Sequence, residues 1–124
     1  DWNIVTNQAV SQTQSIKCGR RDNDLQLPGF DMSGYSTVTV SFWYRVDDID
    51  ANDNVTVQMW NGSTYVDVEE IGDDPEGTWL QFSATFTSAA NPEYFGTNAR
   101  LKIEGSSIDL GENLWVDDFL VTAE

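Results

Sequence analysis

The 124-residue sequence predicts an all-β fold, an antiparallel β-sandwich of jelly-roll type. Three observations predict it. Apolar residues recur at every second position in several runs. Gly, Pro, Asn and Asp punctuate the chain between those runs. No stretch long enough for an ordinary helix carries a helical apolar stripe.

The clearest run is Thr37 to Val46. Val38, Val40, Phe42, Tyr44 and Val46 share one face, and Thr37, Thr39, Ser41, Trp43 and Arg45 the other. A helix would mix these two sets, whereas a strand keeps them apart. In the next run Val55, Val57 and Met59 alternate with Thr56, Gln58 and Trp60. In another, Leu80, Phe82, Ala84 and Phe86 alternate with Trp79, Gln81, Ser83 and Thr85. Leu101 and Ile103 alternate with Arg100, Lys102 and Glu104. Shorter strands are expected at 2–5, 15–18, 24–27 and 65–68. A last strand is expected over 114–122, with a bulge at the Asp117-Asp118 pair. Asn61-Gly62 reads as a hairpin turn. No internal repeat or linker interrupts the chain, so residues 1–124 form one domain.

Composition narrows the function. There are 21 Asp and Glu against 6 Lys and Arg, a formal net charge of −15. Such a surface repels nucleic acid and anionic membranes, whose recognition needs exposed cations. No apolar run approaches the length of a membrane span. There is no histidine, which removes Ser-His-Asp and Cys-His catalysis and His-ligated zinc. Cys18 is the single cysteine, so no intrachain disulfide forms, and we expect it to be a small buried apolar residue. Five Trp, four Tyr and six Phe indicate a packed core despite the charge.

The motifs also carry a resemblance. A Ser15-to-Cys18-Gly19 strand is followed by Asp31-Met32-Ser33-Gly34-Tyr35 and by Val40-Ser41-Phe42-Trp43-Tyr44-Arg45. Then come Met59-Trp60-Asn61-Gly62-Ser63, Gly77-Thr78-Trp79-Leu80-Gln81-Phe82 and a closing Leu114-Trp115-Val116-Asp117-Asp118-Phe119-Leu120-Val121. Together they resemble the non-catalytic jelly-roll carbohydrate-binding modules attached to secreted bacterial polysaccharide-degrading enzymes. They are also similar to MAM and laminin-G-like adhesion sandwiches, although the paired cysteines typical of MAM domains are missing. The resemblance implies a lectin-like, monomeric, non-enzymatic module. Its expected place is a larger protein, secreted or displayed on a bacterial cell surface, that carries a catalytic domain. The alternative is an adhesive or structural ectodomain that binds protein.

Pleat parity gives the candidate binding residues. If the apolar sets line the core, Trp43, Arg45, Gln58, Trp60, Trp79, Gln81, Arg100 and Lys102 face away from it. A pyranose has an apolar face of C–H bonds that stacks on an indole, while Gln, Arg and Lys bond its hydroxyls. The cations extend the expected polysaccharide partner to an anionic one, uronate or sulfated. Their alternative use is pairing with carboxylates on neighbouring strands.

Calcium is the expected structural cofactor, because clustered oxygens suit it. Asp48, Asp50 and Asn52 begin like an EF-hand loop, but Asp53 stands where Gly is needed and Met59 where Glu is needed. The resemblance instead implies a calcium joining the N-terminal region to the last strand, which points to Asp117 with Asp22 and Asp24. The run Asp67, Glu69, Glu70, Asp73, Asp74 and Glu76 reads as a solvated acidic loop rather than a catalytic pair.

Overall fold

The computed structural model describes residues 3–5, 15–18, 24–26, 29–50, 55–72, 74–105, 108 and 111–124, with the backbone alone described in 3–5 and 15–18. Nine strands are present among them: β1 (Asn3–Val5), β2 (Ser15–Cys18), β3 (Leu25–Gln26), β4 (Thr37–Asp47), β5 (Thr56–Trp60), β6 (Tyr65–Glu70), β7 (Leu80–Thr87), β8 (Leu101–Glu104) and β9 (Asn113–Ala123). They form a five-stranded sheet, β1-β2-β9-β4-β7, and a four-stranded sheet, β3-β8-β5-β6. Every pairing is antiparallel. The expected sandwich is therefore present, and each expected strand is found within a residue or two of its place. Cys18 lies in β2, but its side chain is outside the described residues.

The core follows the alternation. Val38, Val40, Phe42, Tyr44 and Val46 of β4 are all buried. They meet Val57 and Met59 of β5, Leu101 and Ile103 of β8, and Leu114 and Val116 of β9 in one cluster. Phe42 lies at its centre, stacked on Phe82 at 4.9 Å and on Phe119 at 5.3 Å between ring centroids.

The second of these stacks depends on the expected bulge. Along β9, Leu114 and Val116 point inward, yet so do Phe119 and Val121. An unbroken strand cannot do both, because its faces alternate strictly. The register with β4 runs from Trp43↔Asp117 to Ser41↔Leu120, so Asp118 and Phe119 together face Phe42. Asp118 takes the extra place with φ of 51°, and its N–H donates to Asp117 Oδ1 at 2.8 Å. That bond is the carboxylate-to-backbone contact that Asp favours at such kinks. Past the bulge the parity inverts, which turns Leu120 out to solvent.

The β5–β6 hairpin closes at Asn61 as expected. Asn61 Oδ1 accepts from the backbone N–H groups of Ser63 and Thr64, both at 2.9 Å, and Gly62 supplies the left-handed φ of 97°.

The acidic run is more structural than its composition suggests. Glu70 accepts from Val55 N, Thr56 Oγ1 and Gly72 N. Asp74 accepts a hydrogen bond from the Tyr44 hydroxyl. Asp67 accepts from Gln58 Nε2 at 2.6 Å. These carboxylates tie the β5–β6 ribbon and its exit to the sandwich. The solvated-loop reading is thus corrected for Asp67, Glu70 and Asp74, while Asp73 lies outside the described residues.

Candidate functional site

Parity delivers both indoles to the outside. Trp43 and Trp60 are half-buried, each between two buried core residues of its own strand or next to one. The eight expected binding residues do not, however, share one surface. Trp43, Arg45 and Gln81 lie on the outer face of the five-stranded sheet, and Trp79 directly precedes β7 beside them. Gln58, Trp60 and Lys102 belong to the opposite sheet, and Arg100 directly precedes β8 there. Alternation tells inside from outside; it carries no information about which sheet a strand joins.

The four-stranded face is occupied by its own side chains. The Arg100 guanidinium stands 4.8 Å over the Trp60 ring, and Tyr65 meets the same indole edge-on at 5.2 Å. Lys102 Nζ lies 4.4 Å from the Tyr65 ring centre and 3.1 Å from Asp24 Oδ2. Gln58 is held by Asp67 across the hairpin. Trp60 is therefore clamped in one orientation, and the cations on this face already have partners.

The five-stranded face is laid out differently. Trp43 sits in a row between Asp117 of β9 and Gln81 of β7. The next row is Leu120, Ser41 and Ser83, and the one beyond it Thr122, Thr39 and Thr85. Thr39 and Thr85 join their hydroxyls at 3.0 Å. Leu120 is 57% exposed. One indole and one leucyl group thus rise from a strip of short hydroxyl side chains. On the other side of Trp43, Arg45 pairs with Asp47 at 3.5 Å and lies 5.8 Å from the ring of Trp115. Trp115 is itself buried, on the face away from the core cluster.

Leu120 was not singled out from the sequence. The double aspartate was the signal, because the bulge it marks reverses the parity of everything after it.

The expected calcium residues are not brought together. Asp24 is paired with Lys102 outside the four-stranded sheet, and Asp117 faces outward from the five-stranded one. The thickness of the sandwich, about 10 Å between sheets, separates them. Asp22 lies outside the described residues. Among the described residues no three Asp, Glu, Cys or His side chains form a metal-sized group.

A third feature is an open hollow of about 300 Å³ at the end of the sandwich, where β5 turns into β6. Trp60, Glu93, Tyr94, Gly96, Thr97 and Asn98 line it. Most of these residues lie in the long connection from β7 to β8, which contains one turn of 3-10 helix at Pro92–Tyr94. Sequence patterning passes over them because the connection has no period. Its length was the available signal, since long ordered loops in small domains are usually functional.

The chain's likeness to known proteins lies in its fold. No protein-family model matches it, and no curated protein does. Solved structures do. A structure described as Family 16 Carbohydrate Binding Module-2 superposes with a TM-score of 0.68 at 16% identity, covering 98% of this chain and 84% of that one. The CBM22-2 xylan-binding domain of Paenibacillus barcinonensis Xyn10C gives a TM-score of 0.62 at 19% identity, covering 100% and 87%. TmCBM61, solved with β-1,4-galactotriose, gives 0.54 at 13%, covering 99% and 82%. The fold is that of carbohydrate-binding modules. At these identities the likeness establishes architecture, and function must be argued from the side chains. Among the described residues no helix is long and apolar enough to cross a membrane.

Proposed function

We propose that the chain is a non-catalytic carbohydrate-binding module that holds a polysaccharide along the outer face of its five-stranded sheet. One observation carries the reading. Trp43 projects from the middle of that face beside Gln81, Asp117 and a strip of hydroxyl side chains, in a fold shared with modules described as binding xylan and galactotriose. An indole and an exposed Leu120 offer apolar contact to the C–H face of a sugar. Ser41, Ser83, Thr39, Gln81 and Asp117 offer donors and acceptors for its hydroxyls. The short side chains leave the strip open to an extended polymer.

The ligand we favour is neutral. Arg45, Arg100 and Lys102 each have a carboxylate or an aromatic ring as partner, and the protein carries a formal charge of −15. Both features oppose uronate or sulfated chains. Non-catalysis is favoured because Asp67, Glu70 and Asp74 are engaged in holding the fold. In this reading the module works outside the cell, joined to an enzyme that it keeps on its substrate.

Affinity electrophoresis on xylan, cellulose, galactan and a uronate polymer tests the reading. Retardation by a neutral polymer, lost in Trp43→Ala, supports it. Absence of retardation in every gel defeats it. A concentration-dependent oligomer in light scattering that is lost in the same variant would favour the adhesive alternative.

A further inference from the structure

We propose that the hollow beside Trp60 is a second carbohydrate site, separate from the Trp43 face, that takes the terminal residue of a neutral glycan. The proposal rests on the carbohydrate reading for the class of ligand, but not on the Trp43 face for its location.

The hollow has two walls and a floor. Trp60 and the Gly62 turn form one wall, and the segment from Gly96 to Asn98 forms the other. Tyr94 and Ala99 are both buried and make the floor. A volume of about 300 Å³ is at the lower limit of small-molecule sites, with room for about one or two sugar rings rather than a polymer. A hollow of that size suits a chain end rather than a continuous polymer.

The lining matches a pyranose. Trp60 and Tyr94 supply aromatic surface for C–H groups, and Thr97, Asn98 and Glu93 supply polar groups for hydroxyls. Glu93 would repel a uronate, which selects a neutral sugar. Gly62 and Gly96 line the hollow and carry no side chain to occupy it, and a Cβ at either position would stand in open space.

The site is also built in advance. Arg100 and Tyr65 fix the Trp60 indole from two sides. Phe86 packs edge-on against Tyr94 at 5.2 Å. The loop wall is pinned by Met32 N–H donating to Gly96 O at 2.9 Å and by the Phe30–Ala99 bridge. Groups already ordered cost little entropy when a ligand arrives. The hollow lies at the Thr37 end of the sandwich, whereas Trp43 stands six residues further along β4, about 20 Å of strand. A single bound sugar cannot serve both.

The experiment follows tryptophan indole N–H signals by NMR in the full chain, during titration with xylose, glucose, galactose and their β-1,4-linked trisaccharides. The Trp60 signal is assigned by loss in Trp60→Phe. We expect a saturable shift of Trp60 with at least one neutral sugar, unchanged in Trp43→Ala. Gly96→Leu should weaken that shift at least about tenfold by filling the hollow, while polymer retardation through Trp43 stays within about twofold. Gly96 is outside the left-handed region and its Cβ direction is open, so the variant should fold. No Trp60 shift with any sugar, or a shift that survives Gly96→Leu, overturns the proposal. A Trp60 shift that vanishes in Trp43→Ala also overturns it, because the hollow would then have no binding of its own. A Trp60 shift without any polymer retardation would sustain the hollow and defeat the Trp43 face.

Discussion

Trp43 and Trp60 stand on opposite outer faces of the sandwich, Trp60 at the Thr37 end and Trp43 further along β4. Both emerge from strands whose alternate residues fill the core, so their exposure has one cause. Their surroundings differ. Trp60 is clamped by Arg100 and Tyr65 at the edge of a hollow, while Trp43 stands over an open strip. Variants at the two positions should therefore separate in their effects.

Polymer binding should lose at least about tenfold in affinity in Trp43→Ala, or about 1.4 kcal/mol, and change little in Trp60→Ala. Leu120→Ser should weaken it by a smaller factor, and Leu120→Ser should melt close to wild type because the side chain is exposed. Calorimetry with a soluble neutral polysaccharide, beside thermal melts of each variant, measures both quantities.

Salt provides an independent check on ligand charge. Neutral-glycan binding should change by less than about twofold between about 0.05 and 0.5 M NaCl, since a neutral ligand forms no ion pair with the protein for salt to screen. A steep loss with salt would restore the anionic ligand.

The bulge on β9 should respond to backbone shape rather than to side-chain size. Asp118 has φ of 51°, where a β-branched residue is strained and glycine is not. Asp118→Val should cost about 1–2 kcal/mol in denaturant unfolding and Asp118→Gly less. Equal costs would mean that the carboxylate, not the dihedral, holds the kink.

Tyr44 provides a pH signature. Burial raises the pKa of its hydroxyl, and the hydrogen bond to Asp74 and the charges of Asp74 and Glu69 add to the shift. A folded pKa above the unfolded value of about 10 means that the contribution is complete below pH 10 and is lost as the pH rises toward the folded value. Wild type should therefore lose stability above about pH 10 more steeply than Tyr44→Phe. At neutral pH Tyr44→Phe should be about 1–2 kcal/mol less stable, the cost of the bond to Asp74. Melts from pH 7 to 11 for the pair decide it.

Calcium is tested by a double-mutant cycle. Asp24 and Asp117 lie on opposite faces, so Asp24→Asn and Asp117→Asn should be additive within about 0.5 kcal/mol in calcium as in EDTA. A calcium-dependent coupling above about 1 kcal/mol would return both to one site.

Much of the fold was legible in the chain, for local reasons. Alternation in Thr37–Val46 states which residues are core and which are not, because burial of one pleated face is written residue by residue. Asn61-Gly62 and Asp117-Asp118 announce their turn and bulge through backbone preferences that need no tertiary partner. The exposure of Trp43 and Trp60 follows from the same alternation.

The partnering of those strands was not legible. β4 lies between β7 and β9, and β5 between β6 and β8. Those choices depend on contacts between residues far apart in sequence, and they place Trp43 with Gln81 and Asp117 while sending Trp60 to join Arg100. They also part Asp24 from Asp117. The hollow belongs to the same category, since an aperiodic loop acquires its walls only when β5 and the Phe30–Ala99 bridge fix where it runs. Side-chain direction is a local property of a pleated strand. Side-chain neighbourhood is a property of the packed whole.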